Sequence, residues 1–140
     1  MIKRVSLGEE LIITAKNKVG LLADITTMLA NRGINIQSAL GYRSGSTAKL
    51  MLVTSANLAI VSDLKKKYAS VKETEVVLVD LEDKTGALKV VTTELKKARI
   101  DIKYLYITSA ATADCGSVAV LQTTDNEDAI SVLSKYVTSD

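Results

Sequence analysis

Two short segments carry residue types that could hold a small charged molecule. They are Asn17-Lys18-Val19-Gly20-Leu21-Leu22 and Asp83-Lys84-Thr85-Gly86-Ala87-Leu88. In each, a side chain that accepts hydrogen bonds, Asn17 or Asp83, precedes a glycine, and a helical spacing of apolar residues follows. The first N–H groups of a helix lack intrahelical partners and sit at the positive end of its dipole. A glycine, having no Cβ, lets a ligand come close to them. The amides of Val19–Leu22 and Thr85–Leu88 could therefore hold a carboxylate, with Asn17 or Asp83 accepting from an ammonium and Asp83 adding charge. A plainer role is open to the same residues: Asn17 and Asp83 as helix caps worth about 1 kcal/mol, and the glycines as turn formers.

The two segments belong to a repeat. At an offset of 66, the spacing of Gly20 and Gly86, Leu11–Gln37 lies over Val77–Lys103 without a gap. Lys18 meets Lys84, Leu22 meets Leu88, Leu29 meets Leu95, and Ile34 and Ile36 meet Ile100 and Ile102. A second block matches at 69, the spacing of Leu52 and Leu121, where Thr54 and Asn57 meet Thr123 and Asn126. The change of offset places three extra residues in the second copy between Lys103 and Ser117. A repeat of this length is a whole folding unit.

The elements that must position the two loops follow from periodicity. Leu11-Ile12-Ile13 begins a strand. Leu22, Ile25 and Leu29 recur at helical spacing, and Gly33 suits the left-handed position after the last turn. Ile34, Ile36 and Ser38 alternate as a second strand, Gly41–Ser46 reads as turn material, and Leu50–Val53 as a buried third strand. Asn57 is placed to cap a second helix with Val61, Leu64 and Tyr68 inward, and Val71–Thr74 is a short fourth strand. The second copy repeats this with Val76–Leu81, a helix carrying Leu88, Val91 and Leu95, then Ile100–Ile107, Val118–Gln122, and a helix capped by Asn126 with Ile130 and Leu133 inward. Only Val137–Asp140 remains for its fourth strand, which is short or absent. The order β-α-β-β-α-β predicts an α+β fold of two ferredoxin-like modules in tandem, Met1–Glu75 and Val76–Asp140, each an antiparallel sheet with its helices on one face.

The loops resemble those of the ACT domain family, whose pattern is Asp/Asn-x-Pro-Gly-x-Leu, a helix, then Gly-Ile-Asn-Ile. Gly33-Ile34-Asn35-Ile36 fits the last element letter for letter and Arg99-Ile100-Asp101-Ile102 loosely. Val19 and Thr85 replace the family proline, and the chain has no proline at all. The resemblance runs from about Leu11 to Tyr136 and is strongest to stand-alone tandem ACT proteins without a catalytic domain. It implies a free amino acid bound where neighbouring modules meet, regulation of an unspecified enzyme of amino-acid metabolism, and no cofactor. It also implies that the end of the second strand of copy two, with Lys103, Tyr104 and Tyr106, approaches the other module's loop. A tyrosine there could cover a ligand side chain, or Tyr104 and Tyr106, two apart, could simply fill one sheet face.

Composition narrows the alternatives. A net charge of +2 provides no strong field for nucleic acid or acidic membranes, and the expected third strands carry none of the aromatics that RNA stacking needs. With no histidine, one cysteine and no phosphate loop, the chain lacks the usual enzyme machinery and most zinc sites, so no enzyme and no metal site are expected. Cys115, beside Gly116, has no histidine to activate it. No apolar run reaches the roughly 20 residues of a membrane span, and no signal-peptide core follows Met1–Ser6, so the expected compartment is the cytoplasm. A homodimer is expected, with Leu105 and Ile107 on a helix-free apolar face. The alternative to an amino-acid sensor is a structural or interaction scaffold with no retained ligand site.

Overall fold

The computed structural model describes residues 1–109 and 116–138, so Cys115 and the last two residues lie outside the described set. The chain forms two compact units. One is Glu9–Thr74; the other joins Met1–Gly8 to Glu75–Asp140.

The first unit takes Glu9–Lys16 of strand β1 (Ile2–Lys16), helix α1 (Leu21–Asn31), β2 (Ile36–Ser44), β3 (Thr47–Thr54), α2 (Asn57–Lys67) and Ser70–Thr74 of β4 (Ser70–Leu81). β3 pairs antiparallel with β1, from Leu11 opposite Leu52 to Lys16 opposite Thr47, and with β2 on its other side. Leu11, Ile13, Leu50 and Leu52 share one sheet face and form a core with Leu21, Ile25, Leu29, Ile60 and Leu64 from both helices. Both helices therefore cover the same face, as a ferredoxin-like module requires.

The second unit contains Glu75–Leu81 of β4, α3 (Ala87–Lys97), β5 (Ile102–Ser109), β6 (Ser117–Thr123), α4 (Asn126–Ser134) and the Ile2–Gly8 part of β1. β6 pairs antiparallel with β4 and β5, and Val77, Val79, Leu81, Ala119 and Leu121 meet Val91, Leu95 and Leu133 in its core. The N-terminal strand is part of this packing. Ile2 is fully buried in that core, Val137 bridges to it in parallel, and Thr138 N–H donates to the Ile2 carbonyl at 2.9 Å. Arg4 pairs with Asp80 at 2.9 Å, and a Cβ on Gly8 would collide with the Leu78 side chain.

The repeat holds down to the hydrogen-bond register. Tyr42 opposes Lys49 as Thr108 opposes Val118, and Arg43 opposes Ala48 as Ser109 opposes Ser117. Each second strand shifts register at the same place, Gln37 in one copy and Lys103 in the other. The three extra residues of copy two thus fall between Ser109 and Ser117.

Several local expectations change. In three helices the first buried residue lies one position earlier than expected, while Ile25, Leu29, Val91, Leu95 and Leu133 are buried as expected. Leu21, Ile25 and Leu29 are buried while Leu22 is 49% exposed, and Ala87 and Ala129 lie deeper than Leu88 and Ile130. In α2, Ile60 and Leu64 are the buried helical residues, Val61 is half-buried, and Tyr68 is buried just beyond the last turn. Gly41–Ser44 continues β2, leaving only Gly45-Ser46 as the turn. Neither Asn57 nor Asn126 is the capping residue. Their side chains accept from the backbone N–H and hydroxyl of Thr54 and Thr123 and donate to the Glu9 and Glu75 carbonyls at 2.9 and 3.0 Å. Each clips the end of one strand to its neighbour, and in α4 the cap is Asp125, accepting from Asp128 N–H at 3.0 Å. Leu105 and Ile107 oppose Leu121 and Ala119, so they lie on the helix-covered face and not on the free one. Tyr104 and Tyr106 share the other face, opposite Gln122 and Val120.

Candidate functional site

Both loops are built by a left-handed glycine. Gly20 has φ 90° and ψ −1°, Gly86 φ 91° and ψ −6°, and each is the residue before the first helical turn. A residue with a Cβ is strained at such angles, so the position calls for glycine. No side chain caps either helix; Asn17 and Asp83 are both exposed and do not bond the first turn. The loop is instead closed by its own backbone. Leu21 N–H meets Lys18 O at 3.3 Å and Asp24 N–H meets Gly20 O at 2.9 Å; Ala87 N–H and Val90 N–H repeat these contacts with Lys84 O and Gly86 O. Asn17 N–H donates to Ser46 O at 2.7 Å, which ties the loop to the β2–β3 turn.

In the first unit this loop opens on a cavity of about 380 Å³, within the range of small-ligand sites. Asn17, Gly20, Leu21 and Leu22 line it from the loop side, and Ile13, Ile25 and Leu50 close its floor on the core. Gly41, Tyr42, Arg43 and Lys49 form the wall contributed by the β2–β3 hairpin. Val19 points away and is fully exposed. The cavity therefore joins an apolar floor, the positive end of α1 and the cationic residues Lys18 and Arg43, while Lys49, opposite Tyr42 and Thr14, carries its side chain on the other face of the sheet. Lys18 is paired with Asp24 at 3.3 Å. Among the described residues, neither Arg43 nor Lys49 meets a carboxylate within ion-pair distance.

Gly41, Tyr42 and Arg43 line the cavity without being candidates by sequence pattern, because their role depends on the hairpin register and Gly41–Ser46 reads as a turn. Lys18 was visible as a matched position of the repeat.

A second hollow of about 280 Å³ lies behind Leu21 and Lys18, lined also by Thr14, Lys16, Lys67 and Tyr68. The Tyr68 hydroxyl is buried and has no hydrogen-bond partner among the described residues. Burial first, and the Asp24 carboxylate second, push its acidity toward higher pH, against the opposing pull of Lys18.

The second copy shows the same loop with different surroundings. Ala87 is buried, Leu88 half-buried and Thr85 exposed. Lys84 pairs with Glu82 at 2.6 Å, a bond that holds the Glu82 carboxyl below its ordinary range. The Met1 methyl carbon lies 3.8 Å from where a Gly86 Cβ would stand. Lys103 is exposed at the register shift of β5 and Tyr104 is half-buried beyond it. Among the described residues no cluster of His, Cys, Asp and Glu could hold a metal ion, and no helix is long and apolar enough to cross a membrane.

Comparison with known proteins agrees with this geometry. The ACT domain model matches residues 10–68. No curated protein matches the chain. Among solved structures, protein BT0572 from Bacteroides thetaiotaomicron superposes with a TM-score of 0.84 at 23% identity, covering 94% of this chain and 90% of that one. The ligand-free regulatory subunit of aspartate kinase from Thermus thermophilus gives 0.62 at 12% identity, over 96% of this chain and 97% of that one. A structure of aspartokinase alpha and beta subunits gives 0.59 at 17% identity, over 96% and 97%. These identities establish a shared fold. With the loop, the Gly-Ile-Asn-Ile strand start and the helix-covered antiparallel sheet all in place, residues 10–68 match the ACT domain family in sequence and in fold, and the second copy repeats that fold.

Proposed function

We propose that the chain is a regulatory small-molecule sensor that binds a free amino acid and controls an enzyme of amino-acid metabolism. The observation that carries this is the cavity beside Gly20, where an uncapped helix start meets an apolar floor. In this reading the amides that follow Leu21, at Leu22 and Ala23, take the carboxylate, Leu21 lines the site, and Asn17 lies near the ammonium. Gly86, Ala87 and Leu88, with Asp83 and Thr85, are the corresponding candidates in copy two, and Lys103 and Tyr104 belong to the proposal as ligand contacts from β5. The likeness to an aspartate kinase regulatory subunit supports a regulatory role without catalysis of its own. Cytoplasmic location and a homodimer are part of the same proposal. Among the described residues β2 and β5 each pair with one neighbouring strand, and an open strand edge is a template for pairing with another copy. Light scattering at micromolar concentration tests the dimer.

The function is tested by a thermal-shift screen of the proteinogenic amino acids, followed by calorimetry. A true ligand at about 100 times its dissociation constant stabilises the fold by roughly 2.7 kcal/mol. Gly20→Val removes that gain at the first site, and the melting temperature of the unliganded variant separates this loss from the backbone strain that a Cβ brings at φ 90°. If no amino acid shifts the melting temperature or binds, the sensor reading fails and the scaffold reading replaces it.

A further inference from the structure

We propose that the cavity of the first copy is the ligand site of the chain, that it takes an amino acid with an uncharged, apolar side chain, and that Gly41 sets the size of side chain it accepts. The inference rests on the amino-acid reading above and adds which of the two candidate loops binds and the chemical class of the ligand. Strand register decides which residues face the cavity floor. Ile13 and Gly41 oppose Leu50 from either side and Arg43 opposes Ala48, so these residues share the helix-covered face. The buried ones among them, Ile13, Ala48 and Leu50, are apolar, as is Ile25 from α1. Tyr42 and Lys49 oppose each other and belong to the other face. Arg43 is exposed, and its charge is answered by the α-carboxylate that every amino acid brings to the start of α1. A ligand side chain laid on the floor lies against apolar groups, and a carboxylate or ammonium carried there loses its hydration without gaining a partner. The room for it is at Gly41. A Cβ built on that residue stands 3.3 Å from the Leu50 side chain and 3.6 Å from that of Leu22, both of which line the cavity.

The second copy supplies an internal contrast at matched register. Where Gly41 opposes Leu50 in the first, Ile107 opposes Ala119 in the second. There the strand itself supplies the apolar side chain that the ligand supplies here. The approach to the loop differs as well. Nothing lies within 4 Å of where a Gly20 Cβ would stand, whereas the Met1 methyl carbon is 3.8 Å from the corresponding point at Gly86. The second copy is filled by its own residues at both places, and the first is open at both.

Calorimetry with L-alanine, L-valine, L-leucine, L-aspartate and L-lysine on the full chain tests this. Valine or leucine should bind about tenfold or more tightly than alanine, aspartate and lysine, because each further buried carbon of the side chain favours binding and a buried charge opposes it. The stoichiometry should be one ligand per chain. Gly41 does not hold a left-handed backbone, so Gly41→Ala adds a methyl group to the cavity without backbone strain. In that variant the preferred ligand should lose about tenfold, with its advantage over alanine falling by a similar factor. An unchanged melting temperature of the unliganded variant confirms that the fold is intact. Should it fall, Leu22→Ala, at an exposed residue, tests the same space from the helix side and should also narrow the advantage over alanine. Aspartate, lysine or alanine binding as tightly as valine and leucine, two ligands per chain, or a preference that survives both substitutions overturns the inference while leaving the sensor function standing. Binding of none of the amino acids in the full screen overturns the sensor function itself, and this inference with it.

Discussion

Among individual residues, Arg99 bears the clearest mark of the duplication. Gly33 ends the turn after α1 with φ 67°, and its repeat partner Arg99 holds φ 59° after α3. The same backbone bonds form in both copies: Gly33 N–H reaches Ala30 O at 3.0 Å, and Arg99 N–H reaches Lys96 O at 3.0 Å. Only the first copy has the residue type that adopts this conformation without steric cost. Arg99→Gly should therefore stabilise the protein by roughly 0.5–1 kcal/mol, read as a higher urea midpoint at unchanged slope. A destabilised variant would mean that the arginine makes compensating contacts in solution. The reverse exchange, Gly33→Arg, should cost a comparable amount.

At the scale of elements, α3 and the end of α4 are joined by an exposed network. The Tyr136 hydroxyl, and then the Lys97 ammonium at 3.1 Å, hold the Glu94 carboxyl below its ordinary 4.5. The same contacts raise Lys97 and Tyr136 above 10.5 and 10.0. For a depressed carboxyl the stabilisation is present above its unfolded value and is lost as pH falls through the lower folded one. For the raised groups it is lost as pH rises through their folded values. Tyr136→Phe should thus lower the urea midpoint at neutral pH, with the gap to wild type closing below pH 4.5 and shrinking in high salt. A gap that persists in acid would assign it to packing alone. The repeated modules and their element order were legible in the sequence because apolar spacing recurred at a fixed offset. Finer features were not. Leu21 and Leu22 are both apolar, so spacing alone could not say which begins the buried stripe; Gly20 as the residue before the first turn decides it. Gly41 and Gly45 flank a run that looks like turn chemistry, yet pairing to Ala48–Leu50 extends the strand through it and brings Arg43 to the cavity. Of the candidate ligand contacts in the first copy, Asn17, Gly20, Leu21 and Leu22 line that cavity and Val19 does not.

For the whole molecule, the informative fact is where the N-terminal strand is used. Ile2–Gly8 pack within the unit of Glu75–Asp140, although in the chain they lead into Glu9–Thr74. Removing Met1–Gly8 takes away the buried Ile2, the Arg4–Asp80 pair and the bond from Glu82 N–H to Met1 O. The truncated chain should lose hydrogen-exchange protection mainly in α3, α4, β5 and β6, while α1, α2 and β3 keep more of theirs. Equal loss in both halves would show that they unfold as one. The same arrangement has a consequence for synthesis. On the ribosome Met1–Gly8 emerges before Glu9–Thr74, and its partners, from Glu75 to Thr138, are made only after that whole unit. At about 5–20 residues per second the nascent strand waits on the order of several seconds with Ile2, Val5 and Leu7 unpaired. Lys3 and Arg4, exposed in the folded protein, place two positive charges inside that apolar run, the placement by which charged residues disfavour misassociation of a waiting strand.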